Sequence, residues 1–81
     1  MPVSLQPMCV STARGQDSFL VLDEGCLVAV LIRLSAEYGE DAGRWFYEAG
    51  FGALDGPDHP VFADLDEATG YVERRLAGHL T

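Results

Sequence analysis

The sequence contains no lysine and no asparagine, and its five basic residues are all arginines. Against them stand 13 acidic residues, which give a net charge of −8 over 81 residues. Proteins bind nucleic acids and anionic membrane surfaces through clustered cations, and here Arg74 and Arg75 form the one adjacent pair, directly after Glu73. We therefore predict no nucleic acid and no membrane among the partners of this chain.

Long apolar runs are also missing. The longest extends from Cys26 to Ile32, which is far too short to cross a bilayer. The segment from Met1 to Gln6 has neither the basic region nor the apolar run of a signal peptide. We predict a cytoplasmic location, and the preference for Ala, Gly, Leu and Arg indicates a GC-rich bacterial genome.

Cysteine is scarce, with only Cys9 and Cys26. Two cysteines do not make a disulfide framework or a zinc site. We expect both to be buried, inert thiols that behave as small apolar residues, and we expect no disulfide in a reducing cytoplasm.

The 81 residues, 48% of them hydrophobic, predict one small domain over positions 1–81. Four segments have the composition of strands. They are Val3 to Ser11, where Pro7 requires an edge or bulged strand, Phe19 to Leu22, Cys26 to Leu34 and Arg44 to Phe51. Asp23-Glu24-Gly25 predicts a hairpin turn, Thr12 to Ser18 a polar loop, and Leu54 to Pro60 further turns.

The C-terminal segment predicts an amphipathic helix. Asp64 and Glu67 form a capping-box arrangement at its start, and Gly78 indicates an end near Leu76. A single stripe contains Leu65, Ala68, Val72 and Leu76. The predicted fold class is therefore α+β, an antiparallel three- to four-stranded β-meander with one C-terminal α-helix packed on one face.

Between the third and fourth predicted strands, Ser35 to Gly43 contains three acidic residues and two glycines. We expect an exposed acidic loop there. The alternative is a helix from Ala36 to Ala49, which Gly39 and Gly43 disfavour, since each costs about 1 kcal/mol relative to alanine in a helix.

The strand from Cys26 to Leu34 is apolar on both faces. In strict alternation Val28, Val30, Ile32 and Leu34 share one face, and Leu27, Ala29 and Leu31 share the other. One helix covers only one face of a sheet, so the surplus predicts a homodimer that buries the face of Leu27, Ala29 and Leu31. The alternative is that the N-terminal segment or the acidic loop covers this face.

Groups able to perform chemistry are few. Asp55, Asp58 and His59 could hold a metal or act as an acid–base pair, although a solvated turn needs the same residues. A calcium loop beginning at Asp64 fails, because Ala68 and Arg75 stand at ligand positions. We therefore assign no catalytic, metal or cofactor-binding residues and expect no cofactor.

These patterns favour a small non-enzymatic protein-binding or regulatory module that acts as a homodimer. One alternative is a small-ligand or metal-dependent enzyme that uses Asp55, Asp58 and His59 near Trp45 and Tyr47. Another is an acidic mimic of nucleic acid that binds a basic protein, which the net charge of −8 permits.

Overall fold

The structure is a computed structural model that describes residues 3–9 and 15–79, without the side chains of residues 15, 16 and 79. Five antiparallel strands follow one another across a single sheet in chain order, and one helix follows them. The elements are β1 (Ser4–Pro7), β2 (Gly15–Asp23), β3 (Cys26–Leu34), β4 (Trp45–Gly50), β5 (Val61–Phe62) and α1 (Leu65–His79). The α+β class, the meander and the C-terminal helix are confirmed.

The predicted strand number needs a correction, since the sheet has five strands and not three or four. The missed strand is β5, which pairs with β4 at the edge of the sheet. It has two residues, Val61 and Phe62, and a strand of that length cannot show the alternation of polar and apolar residues by which strands are recognised.

The β2–β3 hairpin is the longest paired unit. Its tip is the two-residue turn Glu24-Gly25, in which both residues have positive φ, 52° and 83°, between the paired residues Asp23 and Cys26. Such turns match the twist of the flanking strands. β3 has the predicted bounds. β2 begins at Gly15, so the predicted loop from Thr12 to Ser18 is wrong from residue 15 onward, and residues 12–14 lie outside the described part.

β1 is an edge strand, as Pro7 predicts, and it is shorter than the predicted segment, ending at Pro7. Residues 10 and 11 of that segment are not among those described. The Met8 amide donates to the Ser18 carbonyl, so alternate amides of β1 point away from β2. Within this strand Leu5 is the one residue with an outward amide hydrogen, because Pro7 has none. Just before the strand, the Val3 amide donates to a Glu73 carboxylate oxygen at 3.2 Å.

Two irregularities in pairing change which residues share a face. Val21 pairs with Ala29 while Leu22 pairs with Leu27, so Val28 is an extra residue. Between β3 and β4, Leu31 pairs with Tyr47 while Val30 pairs with Ala49, so Glu48 is an extra residue in β4. Directly paired residues lie on the same side of a sheet. Compared with strict alternation along each strand, Leu27 in β3 and Ala49 and Gly50 in β4 therefore lie on the opposite face.

α1 starts as predicted. The Asp64 carboxylate accepts a hydrogen bond from the Glu67 amide at 2.8 Å, which satisfies one of the free amides of the first turn. The buried stripe contains Ala68, Val72 and Leu76, with Leu65 partly buried beside it. The predicted end near Leu76 is wrong, since the helix continues to His79.

The segment between β3 and β4 is exposed for most of its length, as expected of the predicted acidic loop. Residues Ala36–Asp41 form short 3₁₀ turns, interrupted at Gly39, whose φ of 58° is left-handed. The alternative helix from Ala36 to Ala49 is wrong because Trp45–Gly50 is β4.

One hydrophobic core lies between the sheet and α1. It contains Val21, Ala29, Leu31, Trp45, Tyr47, Leu54, Phe62, Ala68, Val72 and Leu76. Ala29 and Leu31 are thus buried inside one chain, and the surface predicted to bury them in a homodimer does not exist. On the opposite face Val30, Ile32 and Leu34 are buried as well.

Candidate binding groove

The helix is shorter than the strands beneath it. Its 15 residues extend about 22 Å at 1.5 Å per residue. The nine residues of β2 and of β3 extend about 30 Å. α1 begins after β5 and ends toward the β2–β3 turn, where Glu73 meets Val3 and Arg75 meets the Ala53 carbonyl. Because α1 starts beside the edge strand β5 and reaches Val3 near the hairpin end of β1, the opposite ends of β1, β2 and β3 lie to one side of the helix.

A groove of about 620 Å³ lies at that open end of the sheet. It is lined by Pro7, Met8, Cys9, Asp17, Ser18, Phe19, Arg33 and Trp45, and none of these lining residues belongs to α1. The rings of Phe19 and Trp45 are tilted against each other, with centroids 5.5 Å apart. The Met8 side chain is 43% exposed. The groove thus has an aromatic floor and an accessible aliphatic wall.

Charged groups stand beside the aromatic floor. Arg33 and Asp17 form an ion pair with 3.5 Å between Nη1 and Oδ2, and both side chains are about half exposed. The acidic segment that joins β3 to β4 starts after Leu34 and ends before Trp45, so it borders the same end of the sheet. There Arg44 pairs with Asp41 at 3.7 Å, while Glu37 and Glu40 are exposed.

The two cysteines are exposed and not buried, which corrects the prediction. Both are free thiols. Cys9 follows the short strand β1 and lines the groove, whereas Cys26 stands at the first position of β3, next to the hairpin turn. Cys9 is exposed in the groove and Cys26 is exposed beside the hairpin turn, and the number of cysteines alone does not predict either location.

The predicted group of Asp55, Asp58 and His59 does not converge on a site. His59 Nδ1 lies 2.7 Å from the Tyr47 carbonyl oxygen, and its ring stacks on Phe46 with centroids 5.9 Å apart. Asp55 and Asp58 are exposed. Within residues 3–9 and 15–79 no three His, Cys, Asp or Glu side chains are grouped so as to hold a metal ion.

A second cluster fills the covered end of the sheet. The buried Tyr47 hydroxyl donates to the Leu54 carbonyl, and the Tyr71 ring meets the Tyr47 ring edge-on at 5.8 Å. Arg75 donates to the Tyr71 hydroxyl at 2.6 Å and to the Ala53 carbonyl at 3.2 Å. Burial, followed by the nearby Tyr71, raises the pKa of Tyr47 to about 12. The hydroxyl is therefore held as a proton donor inside the core, and the cluster joins helix, sheet and loop.

Searches against family models, curated proteins and solved structures found no match for this chain. Among the described residues, α1 is too short and too polar to cross a membrane, and no other helix is long enough.

No residue was assigned to the groove from the sequence. The sequence predicts a strand that contains Trp45 and an edge or bulged strand that contains Pro7, but nothing in it indicates that these two residues line one groove. They meet because β1 to β4 align their residues at one end of the sheet and α1 does not extend over that end. One signal was available: Arg33 interrupts the apolar face of β3 after Leu31, which marks where the covered surface stops.

Proposed function

We propose that this chain is a small non-enzymatic protein-binding module that receives a segment of a partner in the groove. The observation that carries the proposal is an accessible 620 Å³ groove with Phe19 and Trp45 in its floor. Aromatic side chains supply large contact areas at little entropic cost and are enriched where proteins meet. The contact surface is concave and mostly apolar, as in grooves that bind short peptide segments.

The two cysteines allow the groove to be tested without an identified partner. A displayed library of random peptides is selected against the wild-type chain. Binding of the selected peptides is then measured to two single-cysteine proteins labelled with a bulky maleimide. In the Cys26→Ser protein the label is attached to Cys9, in the groove. In the Cys9→Ser protein it is attached to Cys26, beside the β2–β3 turn at the opposite end of the sheet.

We expect the label at Cys9 to abolish peptide binding and the label at Cys26 to leave it unchanged. The unlabelled single-cysteine proteins are the controls for the substitutions themselves. Peptides that bind equally well to both labelled proteins, or a library that yields no binders, would contradict a binding role for the groove.

We further propose that the module forms a homodimer, through a different surface from the one suggested by the sequence. The extra residue Val28 places Leu27 beside Leu22 on the sheet face away from α1. Leu27 is 39% exposed and Phe51 is 46% exposed, and the Phe51 amide donates to the Val28 carbonyl. These apolar side chains therefore lie close together near the hairpin. Burying them against a second copy would remove this patch from water.

Light scattering and sedimentation test the dimer. The wild type is expected at twice the chain mass, and the double variant Leu27→Glu with Phe51→Glu is expected as a folded monomer, because the introduced charges repel their symmetry mates. Both positions are exposed, so the substitutions leave the core intact, and circular dichroism checks this. A monomeric wild type at high concentration excludes the homodimer and leaves the groove proposal unaffected.

A further inference from the structure

The charges around the groove restrict the kind of partner that fits it. In the part of the chain that the structure describes, Asp17 lines the groove and Glu37, Glu40 and Asp41 lie in the segment that borders it. The basic groups on these same segments are Arg33 and Arg44, and each is already paired with an aspartate of the set. Among the described residues, these groups leave an excess of two negative charges, within a chain whose net charge is −8.

We infer that the groove binds an extended basic segment of another protein, with one large apolar side chain in the groove and Lys or Arg on both sides of it. This inference rests on the proposed function and specifies its partner. The apolar anchor contacts the Phe19–Trp45 floor and the Met8 side chain, which removes apolar surface from water on both partners. The flanking cations lie against the carboxylates at the rim.

An acidic segment is disfavoured by the same geometry. Its carboxylates would approach Glu37 and Glu40, which are exposed, and the Arg33 and Arg44 guanidinium groups would have to exchange their present partners for it. At long range the field of the whole chain attracts cations and repels anions, so it also raises the association rate of a basic segment. The attraction acts across solvent and must weaken as salt is added.

The β1 edge does not compete for the same segment by strand addition. Within β1 only Leu5 has an outward amide hydrogen, and the Val3 amide is occupied by Glu73. A peptide that added a strand there would find a single main-chain donor over the strand's four residues. Side-chain contacts in the groove are therefore the basis of recognition.

Trp45 makes the test direct, because it is the only tryptophan of the chain and it lines the groove. Four short synthetic peptides without tryptophan are titrated while Trp45 emission is recorded. Three have a central leucine flanked by arginines, by serines or by glutamates. The fourth keeps the arginines and replaces the leucine by serine.

We expect the arginine–leucine peptide to shift the Trp45 emission and to bind about tenfold more tightly than the serine-flanked peptide, as expected from a few exposed ion pairs. The glutamate-flanked peptide and the peptide without leucine should bind most weakly. Added salt should remove the advantage of the arginines. The double variant Glu37→Gln with Glu40→Gln should reduce that advantage, whereas Glu24→Gln with Asp55→Asn, which removes the same charge from exposed positions elsewhere, should not.

The outcomes separate this inference from the proposed function. If the leucine peptides bind equally whatever their flanks, the groove is a binding site and the preference for basic segments is wrong. If the arginine peptide binds equally without its leucine, the cations bind outside the groove and the inference is wrong. If no peptide changes Trp45 emission, the inference also fails, and the labelling of Cys9 against Cys26 decides the proposed function independently.

Discussion

The two ends of this sheet are built from the same strands but are stabilised differently. At the hairpin end, α1 covers the sheet, and Tyr47, Tyr71 and Arg75 connect it by hydrogen bonds to the loop after β4. At the other end, Phe19 and Trp45 form the floor of a groove over which no described element extends. Changes at the covered end should therefore cost stability, and changes at the open end should cost binding.

The largest effect is expected at Gly50, which the extra residue Glu48 places on the helix side of β4. A Cβ at this position would overlap the Tyr47 hydroxyl and the Leu54 carbonyl, and the second of these is backbone that cannot move aside. We expect Gly50→Ala to destabilise the fold by about 3 kcal/mol, measured by chemical denaturation.

Gly70→Ala is the matched control, since its Cβ would meet only the flexible end of Arg74, at 3.4 Å, within a helix. It should stabilise the protein by up to about 1 kcal/mol. If Gly50→Ala and Gly70→Ala are equally stable, the packing of Tyr47 and Leu54 around Gly50 is less tight than the structure shows.

Leu76→Ala is expected to cost about 2–3 kcal/mol, because it leaves a cavity where α1 meets the sheet. In a domain of this size that is a large part of the total stability. Phe51→Ala removes a side chain that is 46% exposed and should change the stability of the monomer far less. A thermal melt of Leu76→Ala that matches the wild type would refute the packing of the helix.

From the raised pKa of the Tyr47 hydroxyl we expect a loss of stability that is confined to alkaline pH. Its pKa is about 12 in the folded chain against 10.0 for the unperturbed group, so the folded state retains the proton that the unfolded state releases. The stabilisation is complete below pH 10 and declines as the pH rises toward 12. Denaturation across this range should show a steeper alkaline loss for the wild type than for Tyr47→Phe, and parallel profiles would contradict the assignment.

Asp64→Ala should cost about 1 kcal/mol, because it removes the acceptor for the Glu67 amide at the start of α1. Asp64→Ser keeps an acceptor oxygen and should be nearly neutral. Urea denaturation of the two variants distinguishes them, and an equal effect would mean that the hydrogen bond does not contribute to stability.

The smallest effect on stability is expected at the open end. Met8→Ser should change the free energy of unfolding by less than about 0.5 kcal/mol, as is usual for surface substitutions, since the side chain is 43% exposed. Binding of peptides selected against the groove should nevertheless fall. Leu27→Ser, at 39% exposure, is the control that should leave peptide binding unchanged. A loss of stability at Met8 comparable to that at Leu76 would remove the contrast between the two ends.

Local signals in the sequence predicted those elements that depend on neighbouring residues. The bounds of β3, the turn at Glu24-Gly25 and the cap at Asp64 were all predicted correctly, since each depends on a few adjacent side chains. Pairing irregularities are different, because Val28 and Glu48 become extra residues only when two strands are aligned. Strict alternation therefore assigned Leu27 to the wrong face. The predicted dimer surface fails for a different reason, because α1 packs on the face of Ala29 and Leu31.

The groove was unpredictable for a related reason. It depends on the difference in length between a helix and the strands it covers, and on four strands that bring distant residues to one end of the sheet. The exposure of Cys9, which lines the groove, follows from the same arrangement. The excess of acidic residues is evident from the composition, but their position is not. The structure places several of them beside the groove.

The hydrogen bond between the Val3 amide and Glu73 has a consequence for how the protein behaves in a concentrated solution. Together with Pro7 it leaves β1 with one outward donor, so a second copy cannot pair a full strand with this edge of the sheet. Open-ended stacking of sheets, which leads to fibrils, needs a continuous ladder of such donors. The helix that completes the core thus also limits strand addition at the β1 edge. A chain that ends before Glu73 would lose both the core packing of Leu76 and this protection of the β1 edge.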